Sequence, residues 1–305
     1  MNQFKKYQHL ERLYKKEVSG IDQGTCYIFS KLDGTNSQIW LENGELKAGS
    51  RNNILTLEKD NYGFYQYVLS NKDLFLPFFT ILPNATLYGE FLKKHNISTY
   101  RNDAWDKFYV FDVMLTNCYV EYGIYHLTNT RYVEYDIYQK TLHQLGIPYI
   151  PIIAKVVDYK GDFSEFLPQA DFLLESGHGE GIVIKNYDFV NKYGETKWAK
   201  LINENFSLEK GKPRPVRNEA DNTLEQKIVD ELVTEHFVKK EYTKLIAQLG
   251  EGVKGIQGQL LRVVNKTLID EEGSFIVEQY GENVDFKLIT KFTTLKVKQV
   301  LPELF

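Results

Sequence analysis

Cysteine is scarce in this chain: its 305 residues include two, Cys26 and Cys118. Two thiols exclude a disulfide framework, and without a Cys/His cluster they exclude structural zinc. Both lie in strand-like apolar runs and read as buried free thiols. A basic excess is also missing. The net charge is −4, whereas a protein that holds nucleic acid by bulk electrostatics is basic. That excludes a general coat protein and leaves room for an enzyme with a local basic groove. No run approaches the ~18 apolar residues of a membrane span. Met1-Asn2-Gln3-Phe4-Lys5-Lys6 contains no apolar signal core. A cytoplasmic protein with no membrane partner is expected. There is no internal repeat and no low-complexity segment.

Aromatics are plentiful, with 21 tyrosines and 19 phenylalanines. They favour sheet and offer ring faces on which bases stack. A hydrophobic share of 43% beside 26% charged residues suits a globular protein. The length allows one large domain or two ordinary ones. Residues 1–20 read as a short helical arm, because Phe4, Tyr7, Leu10, Leu13 and Tyr14 recur at helical spacing. Residues 25–30 and 37–41 read as strands. Asn43-Gly44 is a strong hairpin signal and carries Arg51 back toward Lys31. Residues 55–82 read as helix, with Tyr62, Tyr65, Tyr67, Val68 and Leu69 buried and with Pro77 and Pro83 marking its end. Strands follow at 86–91 and 107–115. Residues 129–145 read as helix stopped by Gly146, and 163–175 as another. Residues 180–185 and 196–202 read as two strands.

A boundary falls near 203–222, where Gly211-Lys212-Pro213-Arg214-Pro215-Val216-Arg217 has an exposed linker's composition. Thr223-Leu224-Glu225-Gln226 then matches a capping box. Leu224, Ile228, Leu232, Phe237, Leu245 and Leu249 continue as an apolar stripe toward Gly250. Helical patterns around 258–271 and 284–302 complete a small helical tail.

Lys31-Leu32-Asp33-Gly34-Thr35-Asn36 sits at the break between the first two strands. A lysine there is a nucleophile, a phosphate clamp or a solvated turn charge. Lys-x-Asp-Gly alone arises by chance in roughly one chain of this length in fifteen, so its weight rests on the motifs further along the chain. Four more strand-associated patterns come in order: Tyr88-Gly89-Glu90, Phe108-Tyr109-Val110-Phe111-Asp112, Glu180-Gly181-Ile182-Val183-Ile184-Lys185 and Lys197-Trp198-Ala199-Lys200.

This ordered set resembles the covalent nucleotidyltransferase superfamily of ATP-dependent ligases and mRNA capping enzymes, over about two thirds of the chain. Gly34-Thr35-Asn36, Arg51 twenty residues after Lys31, and the helical tail are most similar to the RNA ligase 2-like branch of phage and editing ligases. DNA ligases and capping enzymes typically carry an OB domain after the last motif. The resemblance implies an α+β fold. Its parts are an ATP-grasp-like adenylylation domain of antiparallel sheets with flanking helices over 1–205, a linker over 206–222, and an all-helical domain over 223–305.

The chemistry suits the residues. A lysine amine attacks the ATP α-phosphate, forms a lysyl–AMP phosphoramidate and releases pyrophosphate. It must be neutral to attack, and a lysine pKa near ~10.4 leaves little neutral amine at pH 7. Burial and neighbouring cations lower it; Lys185, Lys200 and Arg51 are the expected cations. By resemblance Lys31, Glu180, Lys185 and Lys200 are catalytic, and Asp33, Asn36, Arg51, Glu90, Phe111 and Lys197 bind the nucleotide.

Each residue also has a plain reading. Asp33 stands where the branch often has histidine, as in DNA ligases; it positions ribose or metal, or stabilises the turn. Asn36 bonds phosphate or sugar, or caps the turn. Arg51 grips phosphate bidentately or makes a surface ion pair. Glu90 holds the ribose hydroxyl or is solvated. Phe111 stacks on the base or packs in the core. Strand alternation puts Tyr109 and Phe111 on one face, and Phe108, Val110 and Asp112 on the other. Glu180 orients a metal or the adenosine, and Lys185 meets the α-phosphate. The branch often shows Lys-x-Lys where this chain has Lys-x-x-Lys; Lys200 is the favoured phosphate contact, and Trp198 takes the other lysine's place. His178 reads as loop. Mg²⁺, with Mn²⁺ as substitute, is implied, held by Glu180 and Asp33 largely through water.

The resemblance thus implies an ATP-dependent RNA ligase acting as a monomer in the cytoplasm, the host's if the source is viral. Its partner is RNA with 5′-phosphate and 3′-hydroxyl ends, with DNA or RNA/DNA hybrids as alternatives. The rivals are a DNA ligase lacking an OB domain and a non-catalytic RNA-binding relative.

Overall fold

The computed structural model describes residues 4–93, 100–116, 130–203, 223–249, 253, 255–281 and 283–305. Cys118, Gly250 and the linker 206–222, with its basic stretch Gly211–Arg217, lie outside them. The chain divides into two compact units, Met1–Lys94 with Ser98–Asn203, and His95–Ile97 with Glu204–Phe305.

Among the described residues, the first unit holds ten strands: β1 Leu10–Arg12, β2 Thr25–Lys31, β3 Thr35–Glu42, β4 Glu45–Ser50, β5 Ala85–Leu92, β6 Lys107–Leu115, β7 Arg131–Tyr132, β8 Ile152–Val157, β9 Gly181–Lys185 and β10 Trp198–Ile202. They form two five-stranded sheets, ordered β1-β10-β9-β2-β8 and β4-β3-β5-β6-β7. Every pairing is antiparallel except β1 with β10. The hairpin at Asn43-Gly44 forms as the sequence predicts. Both residues have positive φ, 52° and 81°, which the tight two-residue turn requires.

The second sheet lays Ile39, Leu87, Phe91 and Val113 against helices α1 Phe64–Ser70, α2 Lys72–Ile81 and α3 Tyr135–Gln144. The outer face of the first sheet, with Cys26, Ile28, Ile182, Ile184 and Ala199, packs on Val18, Ile21, Phe163 and Phe166. Its inner face brings Val183 and Trp198 to Tyr7, Tyr88 and Met114. The candidate site lies on this inner face.

Several expectations are corrected. The predicted helical arm is instead an extended segment, β1, and a short 3-10 helix, Lys16–Val18. β10 offers an open edge, and Leu13 donates its N–H to the Lys200 carbonyl at 2.8 Å; pairing there outweighs local helical spacing. Helix is confined to α1 and α2 within 55–82. Of the five residues expected to be buried there only Val68 is, and Phe64, Phe75, Phe78 and Phe79 form the apolar face. Pro77 lies inside α2 rather than at its end. Residues 131–132 form strand β7, ahead of α3; Gly146 then stops the chain's helix at φ 69°. Residues 163–169 form a 3-10 helix that includes Pro168.

The second unit contains α4 Leu224–Leu232, α5 Glu235–Leu249, α6 Ile256–Tyr280 and α7 Phe286–Val300. Its core draws on Ile228, Val229, Val238, Leu260, Val264, Ile289 and Val297. Leu224 and Leu249, expected in the stripe, are exposed. Thr223 caps α4 by accepting from Gln226 N–H at 3.3 Å, but the Gln226 side chain reaches forward to Asp230, so the cap is one-sided. Among the described residues, no helix is long and apolar enough to cross a membrane.

Candidate active site

Lys31 is the last residue of β2 and stands opposite Gly181 of β9. Its Nζ lies 2.6 Å from Glu180 Oε2, both side chains being mostly shielded. The turn after Lys31 is tightly cramped. A Cβ at Gly34 would lie 2.7 Å from both Leu92 Cδ2 and the Phe91 carbonyl oxygen. Its bare N–H instead donates to Glu90 Oε1 at 3.0 Å. Asp33 is buried, and its N–H donates to the Tyr100 hydroxyl at 2.7 Å. Burial, then the Asp33 carboxylate, and more weakly Glu180 and Glu90, hold the Tyr100 hydroxyl well above its ordinary value. Three acids from separate elements thus act electrostatically on one buried tyrosine.

Asn36 pairs with Glu90 across β3 and β5, and Asn36 Oδ1 is buried without a hydrogen-bond donor. Ser50 is opposite Ser37, so Arg51 follows at the level of Asn36. Arg51 Nη2 lies 3.3 Å from His9 Nδ1.

Lys185 stands opposite Tyr27, four positions along β9 from the Lys31 row. Its ammonium pairs with Asp112 at 2.8 Å, the two side chains 2% and 0% exposed, and donates to the Phe111 carbonyl at 2.7 Å. It also lies 4.7 Å from the Phe29 ring centroid. Burial pulls Lys185 below its ordinary lysine value, and Asp112 opposes that pull. Tyr7 donates its hydroxyl to the same Asp112, and its ring centroid is 4.9 Å from that of Phe111.

The face assignment on β6 is corrected here. Tyr88 pairs with Asp112 and Gly89 with Val110, so Phe111 is the extra residue of a bulge. The bulge interrupts alternation, and both Phe111 and Asp112 meet Tyr7 and Lys185.

Lys200 is 9% exposed and registers with Val183 on one side and Arg12 on the other. Lys197 precedes β10 and pairs with Glu195 at 3.6 Å. Trp198 is buried between the rings of Tyr132 and Tyr187. His178 is exposed in the loop before β9. The structure therefore joins Lys31 with Glu180, Gly34 and Asn36 with Glu90, and Asp33 with Tyr100. It ties Lys185 to Asp112 rather than to the Lys31 amine, which itself meets an acid. The sequence does not mark His9, Arg12 or Tyr100, and it places Tyr7 only in a helical arm, not at the site. Each reaches the site only through strand pairing or long-range packing, and no local pattern marks it.

The model of the RNA ligase family matches residues 24–202. A mutant RNA ligase of Naegleria gruberi solved with ATP and Mn shares 19% identity and a TM-score of 0.50, covering 68% of this chain and 58% of that one. The same organism's RNA ligase with pyrophosphate matches at 18% identity and a TM-score of 0.50, with the same coverage. At such identity these likenesses show the fold, and the match spans 58% of their length. No curated protein sequence matches the chain. With more than half of its length matched by the family model, the chain belongs to the RNA ligase family.

Proposed function

We infer that this protein is an ATP-dependent RNA ligase that joins 5′-phosphate and 3′-hydroxyl ends through a lysyl–AMP intermediate. One observation carries the reading: the Lys31 amine lies 2.6 Å from Glu180, beside a turn that admits no side chain at Gly34. Family membership supports it, as does the likeness in fold to a ligase solved with ATP and Mn.

In the first step Lys31 Nζ attacks the ATP α-phosphorus. The N–P bond forms, the bond to the bridging oxygen breaks, and pyrophosphate leaves with the electron pair. The protons of the amine pass by way of Glu180 to water. Next, an oxygen of the RNA 5′-phosphate attacks the same phosphorus, frees Lys31 and carries AMP away on the strand. Finally the 3′-hydroxyl attacks the 5′-phosphate, releases AMP and gives its proton to water. Phe111 offers its ring to the base, and Glu90 and Asn36 bind the ribose and phosphate. Arg51 and Lys200 bind phosphate charge, and Lys185, anchored on Asp112, fixes the Phe111 segment. Positioning and charge stabilisation do most of the catalysis.

A divalent ion suits the acids around Tyr100 and the unpartnered Asn36 Oδ1. Among the described residues, no cluster of three His, Cys, Asp or Glu side chains could hold one alone. Magnesium or manganese, held by Glu180 and Asp33 through water and by phosphate oxygens, would neutralise the triphosphate. The first unit would carry adenylylation, and the second, with the 206–222 linker, would help hold the strand. The protein would act as a cytoplasmic monomer.

The test is incubation with α-labelled ATP and magnesium, followed by denaturation. An acid-labile protein–AMP adduct that vanishes in Lys31→Ala is expected. A wild-type chain that forms no adduct would sink the reading. Sealing assays on single-stranded RNA, nicked RNA and nicked DNA then read the substrate, with nicked DNA alone pointing to the rival that Asp33 suggests.

A further inference from the structure

Arg12 ends β1, the edge strand of the first sheet, and registers with Lys200 of the neighbouring β10. Paired residues of parallel strands share a face. Leu10, two residues earlier, packs with Trp198 on the inner face, while Leu13 packs on the outer one. Alternation therefore puts Arg12 on the inner face, where Lys31 and Lys200 lie.

The row through Arg12 runs across Lys200 and Val183 to Phe29, two residues before Lys31. Sheet order is β1, β10, β9, β2. Arg12 thus stands three strand spacings, about 14 Å, from Phe29 along this row, with Lys200 on the way; Lys31 lies two residues further along β2, about 16 Å from Arg12. Lys31, Ile202 and Arg12 all end their strands at one edge of the sheet.

Nucleophilic displacement at phosphorus is in-line: the leaving group departs on the side opposite the attacking atom. With Lys31 attacking from β2 and Lys200 beside the α-phosphate, pyrophosphate departs toward β1. The other inner-face cations do not serve that end. Lys31 is itself the attacking amine, Lys185 and Lys155 lie level with Tyr27, four residues from Lys31 along β2 and away from this edge, and Ile202, facing Gly181 in the register, is apolar.

We propose that Arg12 binds the β- and γ-phosphates of ATP and stabilises the leaving pyrophosphate. Its planar fork matches two phosphate oxygens at once. The proposal rests on the ligase reading and assigns Arg12 to one step of it, the formation of lysyl–AMP and its reversal by pyrophosphate. Transfer of AMP to RNA and sealing involve no β- or γ-phosphate of ATP.

Three assays on the full chain test it: single-turnover lysyl–AMP formation from ATP, discharge of lysyl–AMP by pyrophosphate, and sealing of a strand already carrying 5′-adenylate. Arg12→Ala is expected to slow the first two by about 10- to 100-fold, the loss of charged hydrogen bonds, and to leave sealing within about twofold. Arg12→Lys should recover part of the loss, since it keeps the charge without the fork. Arg12→Gln keeps the stem and the strand pairing, and it is read in place of Arg12→Ala if that variant folds poorly. Unchanged adenylylation overturns the proposal. So does an equal loss in all three assays, which would make Arg12 a nucleic-acid contact or a structural residue. A wild-type chain without lysyl–AMP would overturn the ligase reading itself, and this proposal with it.

Discussion

Replacing Asp112 with alanine strands the Lys185 ammonium where water cannot reach it, for the two side chains are 2% and 0% exposed. Removing one partner of such a buried pair costs about 3–5 kcal/mol. Tyr7 and Tyr187 lose an acceptor as well. Against a total stability of about 5–15 kcal/mol, the expected deficit is about a fifth or more. It should also depend on pH. Burial already lowers Lys185 from its ordinary 10.5, and Asp112 is what raises it; the variant's Lys185 falls further. A lysine lowered by folding binds fewer protons folded than unfolded, so its stability contribution rises with pH across the interval between the two values. The deficit of Asp112→Ala is therefore largest at low pH and shrinks as pH climbs from the variant's folded value toward the parent's. Urea unfolding at pH 6, 7.5 and 9.5, followed by tryptophan fluorescence, measures this. Trp40, Trp105 and Trp198 are all buried in the first unit. A deficit under about 1 kcal/mol, or one that is constant over that range, would refute the account of the pair.

Gly34→Ala should destabilise the chain by about 1–3 kcal/mol and slow adduct formation at least about tenfold, because its Cβ meets Leu92 and the Phe91 carbonyl at 2.7 Å; a parental melting curve and labelling rate would contradict this. Tyr7→Phe keeps the ring beside Phe111 but withdraws a hydroxyl from buried Asp112, which is expected to cost about 1–3 kcal/mol in urea unfolding. Burial pushes the Cys26 thiol up to about 12. In a Cys118→Ser chain, iodoacetamide at pH 8 should label Cys26 only once urea unfolds the protein, and fast labelling of the folded form would count against that burial.

Strands β3, β5, β6 and β9 were legible because apolar and aromatic runs repeat with their local period. The Asn43-Gly44 hairpin was legible because few residue pairs tolerate its positive φ angles. The N-terminal arm was not. Tyr7 and Leu10 repeat as a helix would, but they are held by Asp112 and by β10, about a hundred or more residues away. Nor was the bulge at Phe111, which exists only against its partner strand β5.

The order of the motifs along the chain and the identity of Lys31 as the nucleophile candidate were settled by sequence, since both depend on residue type and linear order; the need for glycine at position 34 comes from Leu92 and the Phe91 carbonyl, which β5 brings up against the turn. Which charges meet was decided by tertiary structure. Lys31 meets Glu180 and Lys185 meets Asp112 because β2, β6 and β9 bring them together, and Arg12 reaches the row of Lys200 only because β1 adds to the edge of β10. Strand register is a property of pairs of segments, and a charge acquires its role from whichever charge the register sets beside it.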